Sequence, residues 1–488
     1  MQERSIEGFR LSPQQRQLWA CRQRSHAEQG APATRRAPYR AECAIAIKGN
    51  LDPHVLYAAL GRLVERHEVL RTTFQHLPGM SVPLQVVADQ STSSAMWRAE
   101  ERDLTGLEAG EQAAMLEPAR NDARLLPFDL EKGPLLNSLL VKLSPDQYQL
   151  SLYLPAMCAD KRGLQNLAAE LSRSYASCLR SEGLDDEVLQ YADVAEWQNE
   201  LLEATDTETG RAHWRSKEGL LDLPALKLPL EGWGSPYTPE RGFDPQSISF
   251  DVRPDVAAKL AELTQQEQSS MQAFLLSCWQ ILLWRLNGHA NTVIGVEFDG
   301  RKYEELEQVV GLLAKYIPVD CRLEENLPFK AVLAQVAGSL RDGYQWQEYF
   351  SWELLEQPSA HEGLAAPAQR APGINPFFPF CFEFEEVQAA AVSQQPSEDV
   401  AFSFDGGYAC YDEFKVQLAC RWDNDALNGE MRYNANLYSQ EAIDLLIEEY
   451  QTLLESAADN PGGAISELQL VGDKERAMLL QAASSTVP

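Results

Sequence analysis

The sequence has few basic residues and few histidines for its length. Its 488 residues contain 42 Lys and Arg against 72 Asp and Glu, which gives a formal net charge of −30, and there are 7 histidines. Nucleic acids and anionic membranes gain affinity when Lys and Arg neutralise their charge, so this acidity argues against both as partners. The histidines never fall at metal-ligand spacing, so we expect no metal site.

Several motifs that identify common enzymes are also missing. The chain has no phosphate-binding G-x-x-x-x-G-K-[ST] loop, no G-x-G-x-x-G after a strand and no G-x-S-x-G elbow. These absences argue against the usual nucleotide-binding and α/β-hydrolase functions. Together with the lack of a metal site, they leave motif reading alone without an assignment of chemistry.

Cysteine usage and hydrophobic runs bear on the cellular compartment. The 9 cysteines are scattered and form no C-x-x-C pair, which predicts reduced thiols. The first fifteen residues carry charges where a signal peptide needs an apolar run, and no stretch approaches the roughly 18 apolar residues of a membrane span. We therefore expect a cytoplasmic protein with no membrane segment.

Helical and strand patterns alternate along the chain, which predicts a mixed α/β (α+β) architecture. Strands are predicted at 44–48, 147–154, 292–297, 414–420 and 429–433, and helices at 51–68, 163–179, 255–266, 270–286 and 439–456. The pattern repeats after a loop-rich stretch at about 220–246. It predicts two lobes, 1–215 and 216–460, followed by a short tail at 461–488.

The segment 152–171, LYLPAMCADKRGLQNLAAEL, carries the strongest local signal for chemistry. A strand that ends at Pro155 before a helix presents its last side chains to whatever cleft the sheet borders. Cys158 would then be a nucleophile activated by the helix N-terminus and the following Lys161. Alternatively, Cys158 is a small buried apolar residue and Asp160 caps the helix. The segment alone favours the second interpretation without excluding the first.

An ordered set of motifs resembles the condensation domains of nonribosomal peptide synthetases. The stretches are LSPQQRQLW (11–19), RHEVLRTTF (66–74), PFDLEKGPLL (127–136), YADVAEWQ (191–198), FDGRKYEELEQVVGLLAKYIPV (298–319), NPFFPFCFEF (375–384) and LNGEMRYNANLYS (427–439). Each is a weak signal by itself, but their order and spacing match the family from about residue 8 to 480.

This resemblance implies a V-shaped pseudo-dimer of two chloramphenicol acetyltransferase-like lobes with a central tunnel. Donor and acceptor carrier proteins would deliver tethered groups on phosphopantetheine arms, so the cofactor belongs to the partners. Residues 465–480, ISELQLVGDKERAMLL, resemble the linker that leads into an adjacent adenylation domain.

The chain departs from the family at its catalytic motif, HHxxxDG. The corresponding residues are Pro155, Ala156, Met157, Cys158, Ala159, Asp160 and Lys161. Ala156 occupies the position of the second histidine, and its side chain can neither bind an amine nor accept a proton. Lys161 replaces the glycine.

The resemblance implies a structural role for Asp160, which in the family pairs with an arginine. Arg71 and Arg301 are both candidates for that partner. Lys315 and Tyr316 stand where the fifth motif usually has Asn-Thr, and Trp346 stands where the sixth usually opens with histidine.

Three functions follow from these departures. The first is a non-catalytic platform that docks carrier proteins or recruits a tailoring enzyme in trans; a tunnel blocked by Met157, Lys161 or Trp346 would favour it. The second is active condensation, with amide or ester formation driven by positioning and with polarity from Cys158, Asp160 or Tyr316. The third is an acyltransferase that uses free acyl-coenzyme A.

Overall fold

The computed structural model describes residues 8–472 except 30–37, 184–186, 205–207, 218–225, 233–241, 354–376, 388–392 and 395–398. Residues 473–488, which form most of the predicted linker tail, lie outside the described residues, as do the first two residues of the 375–384 motif. In the described part of the chain, no helix is long and apolar enough to cross a membrane.

The chain forms two units, each built from three segments. Unit 1 comprises Met1–Thr207, Asp299–Ala314 and Gln388–Asp412, and unit 2 comprises Glu208–Phe298, Lys315–Val387 and Glu413–Pro488. The predicted lobes were continuous stretches, 1–215 and 216–460. The structure differs because two short segments from the second half of the sequence pack with the first half.

The elements alternate along the chain as the sequence predicts. The helices are α1 (Pro13–Gln29), α2 (Pro53–Arg66), α3 (Ala109–Arg124), α4 (Lys161–Arg180), α5 (Tyr191–Glu203), α6 (Glu208–Ser216), α7 (Pro254–Gln266), α8 (Met271–Asn287), α9 (Phe329–Trp346) and α10 (Gln440–Asp459). The strands are β1 (Arg40–Gly49), β2 (Thr72–Gln75), β3 (Leu84–Val87), β4 (Trp97–Asp103), β5 (Leu136–Ser144), β6 (Gln147–Pro155), β7 (Pro245–Asp251), β8 (Asn291–Phe298), β9 (Lys315–Arg322), β10 (Phe380–Val387), β11 (Ser393–Gln394), β12 (Val400–Ala409), β13 (Val416–Asp423) and β14 (Ala426–Asn434).

The main sheet of unit 1 has the strand order β11-β12-β1-β6-β5-β4 in the described residues. Strand β1 pairs antiparallel with both β12 and β6, and β4 is parallel to β5. Local sequence signals explain where helix α2 begins. Pro53 is its first residue, and the Asp52 side chain accepts hydrogen bonds from the backbone N–H groups of His54 and Val55.

The central strand β6 runs directly into the Pro155 turn, so this sheet positions the candidate site.

The main sheet of unit 2 has the order β7-β14-β13-β10-β8-β9. Strand β10 is parallel to both of its neighbours, and the other pairs are antiparallel. One face of this sheet packs against α8, α9 and α10 in an apolar core that includes Trp279, Phe380 and Phe382. Side chains alternate between the two faces of a strand, so Tyr316, Glu383, Gln417 and Arg432 lie on the opposite face.

Candidate functional site

Residues Pro155–Lys161 form a tight turn between β6 and α4, which we call the motif turn. The Cys158 backbone N–H donates to the Pro155 carbonyl at 2.9 Å, and α4 begins at Lys161. Every residue from Ala156 to Asp160 has an exposed fraction of 0%. The side chains between strand and helix are therefore packed inside the protein.

Asp160 accepts five hydrogen bonds within unit 1. Its Oδ1 accepts from the Gly163 backbone at 2.7 Å and from Arg301 Nη2 at 2.9 Å. Its Oδ2 accepts from Arg301 Nη1 at 2.9 Å and from the Leu313 and Ala314 backbones at 2.8 and 2.9 Å. The bond to Gly163 caps α4. A carboxylate with this many donors is a structural anchor and has no free lone pair for a substrate amine.

The structure identifies Arg301 as the partner of Asp160. The two side chains are 1% and 0% exposed, so neither charge is screened by water. Arg71 lies elsewhere in unit 1, where its guanidinium donates to the Ala88 carbonyl and to Glu68. The Asp160–Arg301 pair gives the geometry that the family resemblance implies.

The segment 299–314 is fastened to unit 1 by further hydrogen bonds. The Gly311 carbonyl accepts from the Asp160 backbone at 3.1 Å, and the Leu312 carbonyl accepts from the Tyr191 hydroxyl at 2.6 Å. Gln14 donates to the Leu313 carbonyl at 3.0 Å. Sequence analysis missed these positioning residues, although Gln14 and Tyr191 both belong to the quoted motifs.

Gly311 lies where no larger residue fits. A Cβ atom at this position would overlap the Tyr191 ring. We expect Gly311→Ala to lower the free energy of unfolding by about 1–3 kcal/mol, the usual cost of overpacking. Chemical denaturation followed by circular dichroism measures the change.

Gly61 in α2 is a matched control for this substitution. No atom lies within 4 Å of a Cβ built there, and alanine favours a helix interior, so Gly61→Ala should stabilise by about 0.5–1 kcal/mol. Equal effects of the two substitutions would contradict the tight packing at Gly311.

The motif turn contacts residues that precede β1. The Met157 carbonyl accepts a hydrogen bond from Gln15 Nε2 at 3.0 Å, and the Ala156 N–H donates to the Tyr39 carbonyl at 3.4 Å. Helix α1 and Tyr39, the residue before β1, thus hold the backbone of the turn in place. Lys161, the first residue of α4, is half-buried.

Burial raises the pKa of the Cys158 thiol to about 12, although the nearby Arg22 guanidinium acts in the opposite direction. The thiolate is the nucleophilic form of cysteine, so a buried thiol with this pKa is unreactive near neutral pH. The structure supports the interpretation of Cys158 as a small packed residue.

Thiol labelling tests this directly. Cys178, near the C-terminus of α4, is partly exposed, whereas Cys158 is fully buried. We expect iodoacetamide at pH 8 to label Cys178 in the native protein and to leave Cys158 unmodified until urea unfolds unit 1. Peptide mass spectrometry reads both sites in one sample. Labelling of native Cys158 at a rate similar to that of Cys178 would show that the motif turn is open.

Tyr316 belongs to a buried polar network in unit 2. Its hydroxyl donates to Glu383 Oε1 at 2.9 Å, and Gln417 Nε2 donates to the same oxygen at 2.6 Å. Arg432 Nη1 binds the other Glu383 oxygen at 2.7 Å. The hydroxyl that sequence analysis proposed as a polar catalytic group is thus engaged by its neighbours on the sheet.

Lys315 and Trp346 also lie in unit 2. Lys315 Nζ donates to the Gln347 carbonyl at 2.9 Å, and burial lowers the pKa of this amine to about 8. The Trp346 ring stacks on His213 with a centroid distance of 5.4 Å, and its carbonyl accepts from Trp214 Nε1 at 2.9 Å. Trp346 is therefore part of an aromatic cluster.

The motif turn offers little acid–base chemistry. Ala156 has no polar group, Cys158 stays protonated, and the Asp160 oxygens are saturated with donors. Among the described residues, no group of three or more His, Cys, Asp or Glu side chains could hold a metal ion.

Both units are mixed α/β, as the sequence predicts, and a buried aspartate–arginine pair follows a central strand of unit 1. The family model "Condensation domain" matches residues 8–480. The chain belongs to the condensation-domain family.

Similar proteins include long peptide synthetases. The chain is 26% identical to bacitracin synthase 2 of Bacillus licheniformis over 450 residues, which covers 91% of this chain and 16% of that protein. It is also 26% identical to tyrocidine synthase 3 of Brevibacillus parabrevis over 438 residues, with 90% and 6% covered. The chain therefore spans a small part of these relatives.

Solved structures share the fold at low identity. The condensation domain from monacolin K polyketide synthase has a TM-score of 0.76 at 19% identity, with 94% of this chain and 99% of that chain covered. The X-domain from teicoplanin biosynthesis has a TM-score of 0.75 at 22% identity, with 96% and 98% covered.

Proposed function

We propose that this condensation-family domain is a non-catalytic platform in peptide natural-product biosynthesis. It would dock carrier proteins that hold phosphopantetheine-tethered groups, next to an adenylation domain, or recruit a tailoring enzyme in trans. The observation that carries the proposal is the motif turn, where alanine, a protonated thiol and a saturated carboxylate leave no general base.

The chemical argument rests on what general acid–base catalysis needs. A base must lie within hydrogen-bonding reach of the proton it takes and must have a free lone pair at working pH. Neither Cys158 nor Asp160 meets both requirements. Their contacts instead stabilise unit 1, and this structural role does not require the domain to catalyse a reaction.

A structural neighbour supports the recruitment part of the proposal. The X-domain from teicoplanin biosynthesis has been solved in complex with OxyB, and that X-domain has a TM-score of 0.72 to this chain at 20% identity. A domain of this fold can therefore form a complex with a second protein. By analogy, this chain would present a docking surface in its own assembly line.

Lys315 supports a second candidate, active condensation. With a pKa of about 8, a substantial fraction of this amine is neutral at pH 8 and could accept a proton from an attacking amine. In that case amide formation would rise with pH through the lysine pKa, and Lys315→Met would abolish it while Lys315→Arg would not restore it.

Carrier-protein binding tests the platform directly. We expect the domain to bind carrier proteins loaded with aminoacyl-phosphopantetheine in calorimetric titration. Cys158→Ala should leave this affinity unchanged, because the thiol is buried in the turn.

Three results would overturn the proposal. One is the absence of binding by any loaded carrier protein or partner enzyme from the same assembly line. Another is turnover of a loaded carrier pair, which would favour the Lys315 candidate. Hydrolysis of free octanoyl-coenzyme A, or transfer of its octanoyl group to an acceptor, would instead indicate the coenzyme A-dependent acyltransferase.

A further inference from the structure

Gln347 has a buried oxygen to which no group in the described part of the chain donates. The residue opens the short helical turn Gln347–Tyr349 directly after α9 and is 1% exposed. Its side-chain Nε2 donates to the Tyr344 carbonyl at 3.1 Å, which fixes the orientation of the amide, while Oε1 is buried without a hydrogen-bond partner. A buried acceptor in this state lowers stability unless a donor reaches it.

Lys315 brings unused donors to the same turn. Its ammonium, on the first residue of β9, donates to the Gln347 backbone carbonyl at 2.9 Å. An ammonium has three N–H donors, and this is the only hydrogen bond that the Lys315 side chain forms with the described residues. The Glu348 carboxylate acts on the amine electrostatically, without a hydrogen bond. Two N–H groups of the lysine therefore remain for a ligand.

The unused groups of the two residues are complementary but do not satisfy each other. No hydrogen bond joins Lys315 Nζ to Gln347 Oε1. A ligand that bridges them must accept from the ammonium and donate to the amide oxygen. A secondary amide carries both groups, a carbonyl and an N–H, on one short planar unit. A carboxylate or a phosphate has acceptors alone, so it would leave the Gln347 oxygen without a donor.

We propose that Lys315 and Gln347 bind a secondary amide group of a molecule presented to unit 2. The Lys315 ammonium donates to the amide oxygen, and Gln347 Oε1 accepts from the amide N–H. Lys315 is half-buried whereas Gln347 is fully buried, so the amide meets the lysine first. The amide belongs either to the pantetheine arm of a carrier protein or to a peptide chain. The inference rests on the platform function for these two sources, and it requires no catalysis.

Two matched pairs of probes test the amide and separate its sources. Butyryl-pantetheine carries the amides of the arm, and N-acetyl-dialanine methylamide carries peptide amides. Each is compared with an ester analogue in which oxygen replaces every amide N–H. Saturation-transfer NMR titration of the whole chain should give a dissociation constant about fivefold lower for one amide probe than for its ester analogue, the effect of a typical hydrogen bond. The pair that shows this ratio identifies the source.

Substitutions at the two residues give different results. Gln347→Met removes the acceptor, so the amide and ester probes should bind with equal affinity. Lys315→Met removes the donor to a carbonyl that both probes possess, so it should weaken both and preserve the ratio. Gln345→Met is the matched control, because Gln345 is an exposed glutamine of α9; it should leave the ratio unchanged. Circular dichroism confirms that each variant is folded, and a purely structural role would not produce this split.

The proposal is overturned if each amide probe binds no more tightly than its ester analogue, if no probe binds, or if the ratio survives in a folded Gln347→Met variant. These results leave the platform function untouched, because that function is tested by carrier-protein binding and turnover. Conversely, a retained ratio in a domain that binds no carrier protein would reject the platform and support the amide site.

Discussion

Asp160→Asn is expected to lower the free energy of unfolding by about 3–5 kcal/mol, the usual cost of breaking a buried ion pair. The substitution leaves the Arg301 guanidinium buried without its counter-charge. Both carboxylate oxygens accept from N–H donors, so an amide nitrogen at either position faces a donor. Urea denaturation followed by circular dichroism measures the loss.

Hydrogen exchange locates the effect of this substitution. Peptides from 299–314 should lose protection first, since Asp160 binds the backbones of Leu313 and Ala314. Asp122→Asn on the exposed face of α3 is a control that should change stability by less than about 0.5 kcal/mol. A folded Asp160→Asn variant of unchanged stability would contradict the structural role of the carboxylate.

Glu383→Ala should lower the stability of unit 2 by about 3 kcal/mol. Glu383 accepts from Tyr316, Gln417 and Arg432, and its removal leaves three buried donors without this acceptor. Arg432 keeps its contact with Glu430 at 2.7 Å, so the cost lies toward the lower end for a buried pair. Urea denaturation followed by circular dichroism measures this change as well.

Glu386 on the same strand is exposed, and Glu386→Ala is therefore the matched control. Its effect should stay within about 0.5 kcal/mol. If Glu383→Ala were equally mild while the domain still folded, the network around Tyr316 would be weaker than its geometry implies, and Tyr316 would be available for other roles.

Features determined by neighbouring residues were predictable from the sequence. Helix α2 follows from Asp52, Pro53 and the apolar spacing, and β6 ends at Pro155 as expected. The resemblance to the condensation family is confirmed by the match over 8–480. The mixed α/β fold is also confirmed by the solved structures.

Features that depend on distant residues were not predictable. Asp160 and Arg301 are 141 positions apart, and the sequence offered Arg71 as an equal candidate. Burial also decides between the two interpretations of Cys158, and a single cysteine in a sequence does not reveal its burial. The assignment of 299–314 and 388–412 to unit 1 likewise depends on long-range packing.

The polar residues that the sequence singled out share a structural role. Asp160 anchors unit 1, Tyr316 belongs to a network in unit 2, and Cys158 fills the motif turn. Stability, rather than turnover, is therefore the property that substitutions at Asp160 and Tyr316 should change.

Single-turnover amide formation tests the central claim most directly. The domain is mixed with an aminoacyl-loaded donor carrier protein and an aminoacyl-loaded acceptor carrier protein, and the acceptor-bound dipeptide is measured by intact-protein mass spectrometry against the carrier pair alone. The platform predicts no dipeptide above the carrier pair alone, although loading is verified and the carriers bind. Dipeptide that forms only with the domain would contradict it, and loss of that dipeptide with Lys315→Met would favour the Lys315 candidate.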